Sequence, residues 1–234
     1  MFAGLPDTIA RVKGSVLLVG TYVATDSPRF QLRGTGFIVG DGRLVVTSAH
    51  VLPARSSGAD TRSLVVQVRK SDEEWEPRTV TTLGVDVARD LALLRMEGPA
   101  GPALNMGDSR LVQEGDALAF MGFPIGGLLG YSAVTHRAVV SSITSGLGGS
   151  PTGPTPKTSG RGASPDALQI FQLDGTAYPG NSGGPLFHPE TGEVLGVMNM
   201  VLIKSTGESA MSQPSGISYA IPSRYVVELL ARHR

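Results

Sequence analysis

The sequence predicts an all-β protein, and three observations lead there. Glycine and proline are abundant, at 31 and 16 of 234 residues, which favours frequent turns over long helices. Short runs of β-branched and apolar residues recur between those breakers along most of the chain. Helical spacing of apolar residues is confined to the two ends. Alternating βαβ units are therefore excluded, while closed barrels and a sandwich both remain open. The length suits one large β domain or two small packed units, with a substantial core in either case.

The elements follow in order. Residues 6–13 predict a short amphipathic helix: Asp7 suits its first turn, Ile9 and Val12 share a face, and Gly14 ends it. A first series of strands is expected at 15–24, 36–39, 43–47, 63–69, 78–85 and 91–96. A second is expected at 117–122, 132–143, 168–173, 184–187, 193–203 and 217–221. Two six-stranded closed barrels would absorb this number, and so would one large sandwich. Residues 53–62 read as a loop. Residues 144–166 are nearly all Gly, Ser, Thr and Pro, with too little apolar surface to offset their ordering entropy, so a mobile loop is expected there. Over 223–234, Val226, Leu229 and Leu230 stand at helical spacing, with Ser223 placed as a cap and basic residues at the end. This helix is expected to pack on the second half of the chain.

Bulk properties exclude several function classes. Twenty basic residues balance twenty acidic ones, which gives no support to nucleic acid or an anionic membrane as partner. No apolar run has the length of a membrane-spanning helix, so no membrane insertion is expected. Cysteine is absent, which removes disulfides, thiol nucleophiles and thiolate metal sites together. No metal or other cofactor is expected. The first twenty residues lack a basic segment, an apolar run and a small-residue cleavage site. The expectation is a cytoplasmic protein if Met1 is the native start, and a periplasmic or secreted one if a leader has been removed.

The densest chemical signal is Gly180-Asn181-Ser182-Gly183-Gly184-Pro185. A serine hydroxyl attacks well only when a base takes its proton and an oxyanion hole receives the developing charge. A glycine-rich turn leaves the hydroxyl open and lets the backbone curl until its amides converge. The hole is assigned to Gly180, Asn181 and Ser182, with the amides of Gly180 and Ser182 as donors. The base candidate is His50, where the strand Val45-Val46 runs into Thr47-Ser48-Ala49-His50. His136, His188 and His233 lack such a context and read as incidental. The acid candidate is Asp90, directly before the apolar run Leu91–Leu94; Asp86 lies further from that run, and Asp174 reads as a turn residue.

These blocks, with Arg33-Gly-Thr-Gly-Phe-Ile-Val39, Tyr178-Pro179 and Ile217-Ser-Tyr-Ala-Ile-Pro-Ser223, resemble in order the HtrA/DegP-type trypsin-like serine proteases of the chymotrypsin clan. The resemblance spans nearly the whole chain. It implies two six-stranded β-barrels with short N- and C-terminal helices and the active site between the barrels. The N-terminal barrel, within 1–110, would carry His50 and Asp90, and the C-terminal barrel, within 111–234, would carry Ser182. The implied activity is endopeptidase cleavage of unfolded or flexible polypeptides. Members of the family commonly carry PDZ domains after the last helix and form trimers through an N-terminal segment; no PDZ domain is expected within these residues, and Phe2 is the one aromatic in that segment. Asn181 stands where digestive relatives have an acid that pairs with a newly cut N-terminus, so no zymogen cleavage is expected.

In this clan the primary specificity pocket is walled by the residues before the nucleophile and by a facing strand. Those positions are Thr176, Ala177 and Tyr178, with Val197, Met198 and Asn199 opposite. No acid is present to reward Lys or Arg, so small or medium apolar side chains are expected. Two rival readings remain. One is a latent protease-fold module that binds extended peptides by strand addition, with residues 144–166 standing where the family has an activation loop. The other is an esterase of the α/β-hydrolase type, which needs the order Ser, Asp, His and alternating helices; both are missing.

Overall fold

A computed structural model describes residues 4–53, 62–71, 74–124, 131–145, 168–199 and 216–233. In chain order these contain α1 (Leu5–Lys13), β1 (Val16–Tyr22), β2 (Phe30–Val39), β3 (Leu44–Ser48), β4 (Ser63–Arg69), β5 (Trp75–Asp86) and β6 (Leu91–Met96). They continue with β7 (Ala117–Gly122), β8 (Val134–Ser145), β9 (Gln169–Leu173), β10 (Pro185–Phe187), β11 (Val194–Asn199), β12 (Ser218–Pro222) and α2 (Ser223–Ala231). The strands close into two antiparallel barrels, ordered β1-β2-β3-β6-β5-β4 and β10-β11-β12-β9-β8-β7. The sandwich alternative is thereby ruled out. Most of the expected loop at 144–166 lies outside the described residues, as does nearly all of the one at 53–62; Thr144 and Ser145 end β8.

Burial explains why the strands were visible as apolar runs. On β2, β3 and β6, Ile38, Val45 and Leu94 face into the first barrel, where they pack with Leu17, Val19 and Val66. Their neighbours Phe37, Val39, Val46 and Leu93 face outward and are also buried, against Val194, Val197 and Ile221 of the second barrel. A strand covered on both faces loses the polar alternation of a half-exposed one. Conversely, β2 begins at Phe30 and β5 at Trp75, earlier than expected, because exposed Gln31 and Arg33 in the one, and half-buried Glu76 and exposed Pro77 in the other, break the apolar pattern.

Each terminal helix is wedged across the two barrels. Val12 of α1 joins Val16 and Phe30 from the first barrel and Met121, Phe123 and Phe187 from the second. Tyr225, Val226 and Leu229 of α2 close the cluster between barrels, so α2 is not confined to the second barrel as expected. Nor does Ser223 cap α2: its hydroxyl donates to the Gly107 carbonyl at 2.7 Å, and Pro222 occupies the cap position. None of the described helices is long and apolar enough to cross a membrane.

An ionic knot ties α2 back to the first barrel. Asp86 accepts from Arg232 at 2.8 Å and from Arg89 at 3.2 Å, and Arg89 also meets Glu228 at 3.0 Å while lying over the Tyr225 ring. Burial pushes the Asp86 carboxyl up, but the bonds from Arg232 and Arg89 outweigh it and hold the pKa below its ordinary value. A lowered folded-state pKa contributes stability above the unfolded value near 4, and that stability is lost as pH falls through the folded one. Asp86→Asn is therefore expected to cost about 1 kcal/mol at pH 7 and progressively less as pH falls below the unfolded value near 4, as urea unfolding across that range would read.

Candidate active site

His50 lies on a single 3-10 turn, Ala49–Val51, that follows β3. Arg33 of β2 braces this turn: its Nε donates to the Val51 carbonyl at 2.6 Å and its guanidinium to the Leu52 carbonyl at 3.1 Å. Asp90 ends the turn between β5 and β6 with a φ of +53°, alone among the described non-glycine residues in being positive. Aspartate tolerates this left-handed backbone better than most residues, at a cost of about 1 kcal/mol. Its carboxylate meets the His50 turn. Oδ2 accepts from the His50 Nδ1 at 2.5 Å, and Oδ1 accepts from the His50 backbone N–H at 2.8 Å. An ionised carboxylate only accepts, so Nδ1 carries the proton and Nε2 is left with a free lone pair.

The other acids are engaged elsewhere. Asp86 is held by Arg232 and Arg89, and Asp174 accepts from the Val139 N–H at 2.5 Å. A group that the sequence placed elsewhere joins Asp90 instead. Asn199, expected in the pocket wall, is buried at 1% exposure and its Nδ2 donates to Asp90 Oδ2 at 2.9 Å. The second barrel thus supplies a donor to the acid of the first. Nothing in the local sequence of Asn199 marks this, since the contact spans 109 positions.

Ser182 lies in a turn whose glycines are obligatory. Gly180 has a φ of +104°, and a Cβ there would collide with the Phe123 carbonyl; Gly183 has a φ of +85°, and a Cβ there would collide with the Thr35 carbonyl. The Asn181 N–H donates to the Tyr178 carbonyl at 3.0 Å, so this amide, included in the expected hole, is turned away from it. The amides of Gly180 and Ser182 meet no acceptor among the described residues. The Asn181 side chain is fully buried and neither of its polar atoms finds a partner among those residues. A carboxylate in its place would be uncompensated, which accounts for a neutral amide at this position.

The Ser182 turn is pressed against the segment bearing His50. A Cβ on Gly34 would touch the Val51 side chain at 2.6 Å and the Ser182 carbonyl at 2.8 Å, and one on Gly183 would come within 2.9 Å of the Ser48 amide. The Ser48 hydroxyl crosses to the Met198 carbonyl at 3.3 Å, and that carbonyl also accepts from the Gly183 N–H at 2.9 Å.

The expected pocket residues divide between faces. Met198 packs with Ala177 in the core of the second barrel, and Thr176 and Tyr178 remain half-buried beside it. Val197 points the opposite way, into the cluster beneath α2, because successive strand residues alternate; Asn199, two residues on, turns to Asp90. His136 stacks on Phe120 at 4.7 Å and lies 6.2 Å from the Tyr178 ring, and burial pushes its pKa down, which favours the neutral imidazole. On β2, Phe30 and Leu32 join Tyr131 and the Pro179–Gly180 turn to line an open groove of about 350 Å³, which no sequence signal foretold. No cluster able to hold a metal ion occurs among the described residues.

Comparison with known proteins gives the family of the chain. A family model described as "Trypsin-like peptidase domain" matches residues 34–197. A "Probable periplasmic serine endoprotease DegP-like" from Marinomonas sp. is 32% identical over 84% of the chain and 34% of its own length. One of the same name from Pseudomonas putida (strain GB-1) is 30% identical over 85% of the chain and 34% of its own length. "Serine protease HTRA2, mitochondrial" from Drosophila pseudoobscura pseudoobscura is 30% identical over 85% of the chain and 38% of its own length. The chain spans about a third of the length of these curated relatives.

Proposed function

Because the chain belongs to the trypsin-like peptidase family, we propose that it is a serine endopeptidase that cleaves unfolded or flexible polypeptides. Ser182 attacks the scissile carbonyl while the His50 Nε2 takes its proton. Asp90 keeps Nδ1 protonated and steadies the imidazolium that forms. The amides of Gly180 and Ser182 receive the oxyanion. Collapse of the tetrahedral intermediate breaks the C–N bond, His50 gives its proton to the leaving amine, and an acyl-enzyme remains. Water, deprotonated by His50, then releases the acid product and restores Ser182. The observation that carries this reading is the Asp90 carboxylate, which accepts from the His50 backbone N–H and from its Nδ1, at a site where two neighbouring amides meet no acceptor among the described residues.

The pocket reading is an apolar side chain before the cleaved bond, supported by Ala177 and Met198 and by the neutral surroundings of Tyr178. The names of the bacterial relatives favour the periplasmic option for this chain. A fluorophosphonate probe tests the chemistry. Labelling that maps to Ser182 supports the reading; a folded protein that neither labels nor cleaves casein is instead a module that binds extended peptides.

Asn199 offers a graded test of the acid's environment. Asn199→Leu keeps the volume but removes one of the donors to Asp90. A roughly tenfold fall in kcat on a quenched peptide is expected, equivalent to about 1.4 kcal/mol, with KM little changed. An unchanged kcat would mean that the His50 contacts alone suffice to orient the acid.

A further inference from the structure

The geometry points to Thr35 as a positioning residue that anchors the two residues whose amides form the oxyanion hole, an inference that rests on the proposed serine protease reading. Thr35 belongs to the first barrel, yet it binds the carbonyls of the two residues of the second whose amides meet no acceptor among the described residues. Its hydroxyl donates to the Gly180 carbonyl at 2.6 Å, and its backbone N–H donates to the Ser182 carbonyl at 2.8 Å. The donor role of the hydroxyl is unambiguous. Its oxygen already accepts from the Phe123 N–H at 3.1 Å, so its single proton is directed to Gly180. Thr35 is fully buried, and its own carbonyl accepts from the Thr47 hydroxyl at 2.7 Å.

The need for such a clamp follows from Gly180. The Phe123 carbonyl excludes a side chain there, so the residue must be glycine. Glycine is also the residue whose backbone rotates most freely. An oxyanion donor stabilises the transition state only when it is aimed beforehand, because reorientation during the reaction consumes the gain. No side chain on Gly180 can supply that aim. The Thr35 hydroxyl fixes the peptide that follows Gly180, whose N–H is bound to the Tyr178 carbonyl, and the Thr35 amide fixes the peptide that follows Ser182, whose N–H is bound to the Met198 carbonyl, so the two residues that carry the hole amides are each anchored on their C-terminal side. The β-branched side chain has a stiff χ1, and its fixed rotamer passes the rigidity of β2 to the turn.

The test compares variants on a quenched peptide substrate in the intact chain. Thr35→Val keeps the shape and removes the hydroxyl, and kcat is expected to fall roughly 10- to 100-fold with KM within about threefold, somewhat less than loss of a whole oxyanion donor. Fluorophosphonate labelling should slow in parallel. Thr35→Ser restores the donor and should return kcat to within about threefold of wild type. Thr35→Ala deletes the same hydroxyl without placing a methyl group against the Phe123 amide, and it is read in the same way if the valine variant folds poorly. A matched control is Thr8→Val, which removes another fully buried hydroxyl, bonded to the Glu190 carbonyl at 3.0 Å and remote from the site. It should lose stability but retain kcat. The inference is overturned if folded Thr35→Val or Thr35→Ala keeps wild-type kcat, if Thr35→Ser is as slow as they are, or if Thr8→Val slows equally. A wild-type chain that neither labels nor cleaves would overturn the protease reading itself, a result distinct from all of these.

Discussion

Ser182→Ala is expected to lower casein hydrolysis by roughly 10⁶-fold and to abolish fluorophosphonate labelling, with little change in thermal stability. The magnitude follows from the chemistry: without the hydroxyl no acyl-enzyme forms, and what survives is the rate that binding and the oxyanion amides confer on direct attack by water. Stability should hold because the backbone at this position, not the side chain, makes the structural contacts. The Ser182 carbonyl accepts from the Thr35 amide, and the neighbouring glycines carry the tight turn. Casein cleavage by the alanine variant at the wild-type rate would remove Ser182 from the mechanism.

Asp90→Asn is the second large effect, expected at about 10⁴-fold in kcat at pH 7. The carboxylate serves three donors: Oδ1 takes the His50 N–H, while Oδ2 takes both His50 Nδ1 and Asn199 Nδ2. An amide has one accepting oxygen. If that oxygen keeps the backbone contact, the new NH₂ faces the two remaining donors. His50 is then driven to carry its proton on Nε2, where it cannot accept from Ser182. The fold should survive, since asparagine also tolerates the positive φ at this position. Kinetics on the quenched peptide, with urea unfolding as control, would read both. A wild-type rate would assign the acid elsewhere, although Asp86 and Asp174 are already committed to Arg232 and to Val139.

Ser182 and His50 were legible because their chemistry imposes local patterns. A serine in a glycine-rich turn and a histidine at the end of a short apolar strand each fit within one turn of chain. Asp90 was weaker as a local signal, because an acid before an apolar run is common and the left-handed backbone that aims it leaves no mark in composition. The neighbours of Asn199 and Val197 were hidden for one reason: on a strand buried from both sides, sequence does not say which neighbour each face meets.

By itself the sequence determined the β class, the position of nearly every strand and the local patterns that make Ser182 and His50 candidates. Each of these depends on interactions within a few residues: short apolar runs, turn-forming breakers and a glycine-rich curl. Tertiary structure alone decided what lies between the barrels. It chose closed barrels over a sandwich, set both terminal helices across the two units, and brought Asn199 to Asp90 and Thr35 to the Ser182 turn. Those contacts join residues more than a hundred positions apart, and their hydrogen-bonding groups are common to many side chains. Only the packing of one barrel on the other selects which of them meet.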